Sequence, residues 1–378
     1  MTTSIHFLLV SAQAAPNLLP VLDPLLKPVK AVLVVTQKMH GRADALQAVL
    51  IEAGVKVERV ALADEHDFSR MQDALMEVAT QHESAEIALN LTGGTKLMAL
   101  AAQSVAVAAG WKMFYVDLDT DEVIWLGNNA PPRQKLGSHL RLAHYLRAYG
   151  YTPEGAVERP MLVALHNELL DTLVSQVGSL EQPLGKLNYL AQLAQEQGHL
   201  DVKMTVEQAD SRQLEALLRN FQNAAVLKVT GDVIRFASTQ DLAFANGGWL
   251  EQHVFRTVAS LHGTLGVRDK AANLVVVDVT GVKNEMDVAF MAHNRLFVVE
   301  CKTARMDSGV YPKANDTLFK LAEVCRRVGG LGTRAMLASY RPLRDSEKKL
   351  AKALGVELVC GSELIRLRER ITHWVKPA

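Results

Sequence analysis

The sequence predicts an α/β protein of two or three domains, and three observations carry that prediction. The chain has 378 residues, where a domain commonly takes roughly 100–200. Residues 1–130 alternate short apolar runs with helical patterns, which is how a parallel sheet covered by helices reads. Near the end, two strand-like runs at 284–291 and 295–303 flank a short turn, the pattern of a hairpin.

Hydrophobic residues make up 49% and charged residues 22%, with a mean hydropathy of +0.06. Disordered, collagen-like and disulfide-scaffold classes are excluded on that composition. The longest nearly apolar stretch, 97–109, contains Gln103 and Ser104 and is shorter than the roughly 20 residues that cross a bilayer. It reads as a buried helix, with no membrane partner. The apolar run 5–10 has no Lys or Arg before it and is interrupted by His6, so it reads as a first strand and not a signal peptide. Cys301, Cys325 and Cys360 lack CxxC spacing, and the 12 histidines form no HxH or HExxH arrangement. These features fit a cytoplasmic protein without structural zinc.

In the N-terminal region, residues 1–150, strands are expected at 5–10, 31–36, 55–62, 87–91, 113–118 and 123–126. Helices are expected at 42–53, 68–82 and 96–109. A Rossmann-like sheet follows from that order, with ligands bound at the C-terminal ends of its strands. A middle region, 151–240, is helical from about 161 to 223. It ends in a hairpin, 226–229 and 233–236, around Thr230-Gly231-Asp232. Helices followed by a hairpin are winged-helix-like, which admits a spacer, a dimerisation module or a nucleic-acid contact. Asn246-Gly247-Gly248 introduces the third region, 241–378.

The chain carries 41 basic and 41 acidic residues. Residues 240–378 hold 21 of the basic and 15 of the acidic ones, so this part is +6 and the rest −6. Zero net charge argues against permanent attachment to nucleic acid, while a basic last domain is compatible with a polyanionic substrate.

The fourth expected strand runs straight into Asn90-Leu91-Thr92-Gly93-Gly94-Thr95-Lys96 and then a helix. Free backbone amides and the helix dipole at that start could cradle a phosphate, and the glycines allow close approach. The loop is neither a Walker A motif nor a GxGxxG turn. By its physics alone it is either a phosphate site or an ordinary strand-to-helix connection.

The last region offers acids and a lysine. If His293-Asn294 forms a two-residue turn, Ala292 pairs with Arg295, and counting back along both strands sets Asp287 opposite Glu300. Opposed side chains on one face have Cβ atoms about 4.5–5.5 Å apart, so two carboxylates there call for a cation between them. Strand alternation places Lys302 on the face of Glu300 and turns Cys301 into the core. Upstream, Leu250, Val254, Val258 and Leu261 form an apolar helical stripe with Glu251 beside it. The alternative is a solvated surface hairpin, which the apolar run 296–299 disfavours.

Two resemblances add to this reading. The string from Asn90 to Lys96 resembles the signature of CARF domains, the Rossmann-like sensors of CRISPR-associated effectors. Asp287, Glu300 and Lys302 on a hairpin resemble the PD-(D/E)xK nuclease superfamily, with Met286 where a proline often stands. Together the segments resemble the CARF-domain effector nucleases of type III CRISPR systems over nearly the whole chain.

That resemblance implies a homodimer binding one cyclic oligoadenylate, most often cyclic tetra-adenylate. The motif assigns Asn90, Thr92, Gly93, Gly94, Thr95 and Lys96 to that ligand, and topology adds Ser11, Gln13, Gln37 and Lys38. It implies Mg²⁺ or Mn²⁺ held by Glu251, Asp287 and Glu300 beside Lys302, on a mixed sheet flanked by helices. The substrate implied is DNA and/or RNA, single strands favoured, with possible nicking of supercoiled DNA. Lys320, Arg326, Arg327 and Arg334 are candidates for substrate phosphates or for solvated surface charge. The alternative function is a ligand-sensing transcriptional regulator with a degenerate nuclease-like domain.

Overall fold

The apolar runs of the first region pair into a seven-stranded sheet in the computed structural model, which describes residues 4–128, 130–154, 164–304 and 313–376. Its elements are β1 (Ile5–Leu9), α1 (Ala15–Leu22), β2 (Lys30–Thr36), α2 (His40–Glu52), β3 (Lys56–Leu62), α3 (Phe68–Gln81), β4 (Ile87–Asn90), α4 (Lys96–Ala108), β5 (Lys112–Asp117), β6 (Glu122–Leu126) and β7 (Gln134–Lys135). The strand order is β3-β2-β1-β4-β5-β6-β7, parallel through β5 and antiparallel beyond. Every residue of β1 is buried, as a central strand covered on both faces requires. The expected strands and helices all occur within one or two residues of the predicted bounds, the usual uncertainty of an element's end. Helix α1 was not expected, because Pro20 inside it is a helix breaker by sequence. Burial of Leu18, Leu19 and Val21 holds it.

Two short elements follow, α5 (Leu142–Ala148) and β8 (Tyr151–Pro153). The middle region holds α6 (Ala164–Ser175), α7 (Val177–Gln197), β9 (Asp201–Lys203), α8 (Val206–Ala209), α9 (Arg212–Asn223), β10 (Leu227–Thr230), β11 (Val233–Phe236) and α10 (Thr239–Ala243). The expected hairpin is present, with Thr230 opposite Val233 and Gly231 at φ +61° in its turn. Unexpected β9 extends it to a three-stranded wing, β10-β11-β9.

After a π-turn, Phe244–Gly248, come α11 (Trp249–Ser260), β12 (Val267–Asp278), β13 (Lys283–Ala292), β14 (Arg295–Lys302), α12 (Lys313–Gly329), β15 (Arg334–Ser339), α13 (Asp345–Leu354), β16 (Val356–Cys360) and α14 (Leu367–Val375). These strands form a mixed sheet in the order β16-β15-β14-β13-β12-β8. Its edge strand β8 comes from residues expected to open the middle region. Glu154 extends that pairing by donating its N–H to the Val275 carbonyl. Three residues are too short a run to announce themselves as a strand in sequence.

The C-terminal sheet joins the other two regions. One face shares a buried apolar cluster with the N-terminal unit, in which Leu274, Leu296 and Leu337 meet α12, Tyr145 and Leu33. The opposite face packs with α7, α9 and α11. Among the described residues no helix is long and apolar enough to cross a membrane.

Candidate functional site

The hairpin β13–β14 turns at His293 and Asn294, with φ of +48° and +55°, the left-handed pair a two-residue turn needs to match strand twist. Pairing runs from Ala292↔Arg295 to Val288↔Val299, the predicted register. Asp287 and Glu300 are the next positions, where the ladder ends and the strands part. One Asp287 oxygen accepts the backbone N–H of Cys301 at 2.7 Å. Lys302 Nζ lies 2.7 Å from Glu300 Oε1. The Cys301 side chain is buried, and burial raises its thiol well above the ordinary range.

Glu251 reaches the same place from the first turn of α11. The predicted stripe Leu250, Val254, Val258 and Leu261 is buried and fixes the helix on the sheet. Burial, then the charges of Glu300 and Glu251, push the Asp287 carboxyl up to about 7, against the pull of Lys302. The Glu251 carboxyl is also raised, mainly by burial, with Glu285 and Glu300 adding to it. Lys302 is raised although burial opposes its charge, because Glu300 and Asp287 attract it. The three acids therefore sense one another, and a lysine offsets part of their repulsion.

Such a set suits a hard divalent cation, since Mg²⁺ and Mn²⁺ prefer carboxylate oxygens. Among the described residues, however, no three acid, histidine or cysteine side chains already converge as metal ligands. The side-chain orientations give the reason: Glu300 is turned onto Lys302, and Asp287 onto the Cys301 amide. The donor chemistry fits a divalent metal, and closing the ligand shell requires those side chains to turn.

Several supporting residues carried no signal in sequence. With its amide oriented to satisfy its neighbours, Asn188 of α7 donates to the carbonyls of Leu184 and Ala245 and accepts from Thr303 Oγ1 at 3.1 Å. It ties the middle region to the end of the lysine-bearing strand. Gly247, at φ +123°, lets the π-turn approach Thr303; a Cβ there would lie 2.5 Å from Thr303 Oγ1. The Gly247-Gly248 pair was the available hint of this close contact.

In the N-terminal unit, Ser11, Gln13, Thr92 and Gly94 line one open cavity of about 740 Å³ at the strand ends. The motif residues mostly serve their own backbone. Buried Asn90 donates to the Pro16 carbonyl and accepts from the Thr92 amide at 3.0 Å and the Thr92 hydroxyl at 2.7 Å. Thr92 Oγ1 in turn accepts the Val116 N–H, and Thr95 caps α4 by accepting from Met98. Gly93 is dictated by space, since a Cβ would sit 2.1 Å from the Leu9 carbonyl oxygen, while Gly94 adopts φ +72°. Lys96 is exposed at the first residue of α4. Gln37 and Lys38 line a separate hollow, where Lys38 pairs with Glu65.

Arg326 and Arg327, candidates for substrate contact, stand elsewhere. They line the 740 Å³ cavity with Gly330 and Leu331. The crossover from β14 through α12 to parallel β15 carries the C-terminal end of α12 back to the start of β14, the end opposite Glu300. Lys320 is exposed, and Arg334 borders a cavity of about 930 Å³ between α7 and β16, whose lining includes none of Glu251, Asp287 and Glu300.

Family models match both ends of the chain: a Card1 CARF domain over residues 5–145 and a Card1-like endonuclease domain over residues 238–378. Among solved structures, protein VC1899 from Vibrio cholerae is 28% identical with a TM-score of 0.91, covering 99% of this chain and 98% of that one. Can2 from Sulfobacillus thermosulfidooxidans, solved in complex with cyclic tetra-adenylate, is 25% identical with a TM-score of 0.81 and the same coverage. A type III CRISPR defence DNA nuclease activated by cyclic oligoadenylate shares the fold at 20% identity and a TM-score of 0.55, covering 89% of this chain and 45% of that one. No curated protein matches.

Proposed function

The chain belongs to the Card1-type CARF effector nucleases of type III CRISPR systems, and from that premise we propose a metal-dependent nuclease switched on by cyclic tetra-adenylate. The observation that carries the reading is the cluster at the hairpin end: Glu251 and Glu300 beside Asp287, whose carboxyl is raised by burial and by their charges, with Lys302 on Glu300. Glu251, Asp287 and Glu300 would hold Mg²⁺ or Mn²⁺. Held by those three acids, a divalent ion would supply an activated water and charge compensation for the phosphodiester. Lys302 donates a hydrogen bond to the phosphate oxygens, and Asp287 turns from the Cys301 amide to complete the ligand set. The substrate class in this reading is DNA and/or RNA, with single strands favoured and nicking of supercoiled DNA as a further activity to test. The +6 charge of residues 240–378 supports polyanion binding.

The activator sits in the cavity of Ser11, Gln13, Thr92 and Gly94, a reading supported by the ligand in the Can2 structure. A cytoplasmic homodimer shares one ring, with α4 at its interface. Leu100 and Val107, 55% and 64% exposed, lie seven residues apart and so on one face of that helix. The regulator alternative loses ground because all four residues of the acid and lysine set are intact.

Cleavage assays of single-stranded and supercoiled DNA and of RNA, with Mn²⁺ and with or without cyclic tetra-adenylate, test the proposal. Ligand-dependent cleavage lost in Glu300→Ala is the expected result. No cleavage by the wild type under any of these conditions would overturn it.

A further inference from the structure

The cavity at the sensor's strand ends is not built by the sensor alone. Besides Ser11, Gln13 and Thr92, its lining includes Arg326, Arg327 and Leu331 from the nuclease unit. The contact is close. A Cβ on Gly330 would lie 2.5 Å from Gln13 Nε2. Tyr149 donates to Gln13 Oε1 at 3.2 Å and Tyr145 donates to the Gly329 carbonyl at 2.8 Å, and the two rings stack at 4.8 Å.

An anionic ring needs cations in that cavity, and among the described residues of the sensor Arg42 alone brings a cation to its lining. That guanidinium is committed to the Tyr149 carbonyl at 2.5 Å. Arg326 is held only by an exposed pair with Glu323, three residues back on the same helix, and Arg327 by a single 3.3 Å contact with Asp278. An exposed pair such as Arg326–Glu323 is easily exchanged for a better anion, and the part-buried Arg327–Asp278 contact is a single long one. The acids of the cavity are engaged already: Asp117 accepts from the Asp119 amide, and Asp119 pairs with Arg295 at the turn end of the β13–β14 hairpin.

Resting on the sensor reading above, we propose that the nuclease unit forms one wall of its own chain's ligand cavity, with Arg326 and Arg327 contacting the phosphates of a cyclic, phosphodiester-linked anion. The ligand then touches α12 directly. That helix, about 25 Å long at 1.5 Å per residue, crosses beneath β14 from the sensor toward the acid cluster. A ligand that contacts the nuclease unit in one placement better than another shifts the balance between placements.

The test is calorimetric titration of the full-length chain with cyclic tetra-adenylate, comparing wild type, Arg326→Ala/Arg327→Ala and Arg326→Lys/Arg327→Lys. Binding by the alanine pair should weaken roughly tenfold per lost charge-assisted contact, about a hundredfold in all, and the lysine pair should recover part of it. No binding by the wild type would defeat the sensor reading and this proposal with it. Wild-type binding with unchanged affinity in the alanine pair would overturn this proposal alone. Equal weakening in the lysine pair, with a lowered melting temperature, would assign both arginines to packing and overturn it as well.

Discussion

The loop after β4 and the hairpin β13–β14 both carry recognisable motifs, yet the motif residues do opposite kinds of work. In the loop, Asn90, Thr92 and Thr95 satisfy backbone groups of their own turn and helix, and Gly93 makes room for the Leu9 carbonyl. They shape a cavity to which Arg326 and Arg327 come from another unit. In the hairpin, Asp287, Glu300 and Lys302 are the groups proposed to act, part-buried beside one another, and Asp287 is held well above its ordinary range by burial and then by the neighbouring acids. A motif can therefore preserve a shape or a chemistry, and substitutions tell the two apart.

The largest effect is expected at the chemical motif. Glu300→Ala or Asp287→Asn should reduce ligand-stimulated cleavage by about a thousandfold, while calorimetry finds cyclic tetra-adenylate bound as tightly as before. Cleavage by either variant within a few-fold of wild type would remove the hairpin from the reaction.

At the shape motif the pattern should invert. Gly93→Ala forces a Cβ onto the Leu9 carbonyl and should cost about 1–3 kcal/mol of stability through overpacking, with ligand affinity falling alongside. A melting curve superimposable on wild type would contradict the contact.

Asn188→Ala sharpens the comparison from the supporting side. Outer contacts of a metal site commonly matter by about 10–100-fold, so kcat should drop in that range while KM and ligand affinity stay nearly fixed. A changed KM with constant kcat would place Asn188 in substrate binding instead.

Titration gives a smaller effect of defined sign. Asp287 is an acid whose folded pKa, about 7, lies above its ordinary value. The folded state thus holds the proton more tightly, and stability present at low pH is lost as pH rises from about 4 through 7. Metal-free protein should melt a few degrees lower at pH 8 than at pH 5, and Mn²⁺ should restore the loss at pH 8 more than at pH 5. Equal stabilisation by Mn²⁺ at both pH values would disconnect Asp287 from the metal. Smallest of all, Lys38→Ala removes an exposed pair with Glu65 outside the cavity, and ligand affinity should change by less than about twofold.

The sequence by itself determined the first six strands of the N-terminal sheet, the two hairpins, the register of β13–β14 and the acids placed by it. Those depend on local periodicity and on a two-residue turn, which act within a few residues. Proline in α1 and the brevity of β8 and β9 hid three elements, because burial and edge pairing by distant residues stabilise them and local propensity does not. Tertiary structure alone decided that Asn188 supports the lysine strand, that Lys38 pairs with Glu65 in a separate hollow, and that Arg326 and Arg327 line the cavity at the sensor's strand ends. The reason is topological: the crossover from β14 to parallel β15 sends α12 back along the sheet. A charge only a few turns past the catalytic strand in sequence thus ends at the opposite edge of the unit, where it meets another domain's loops.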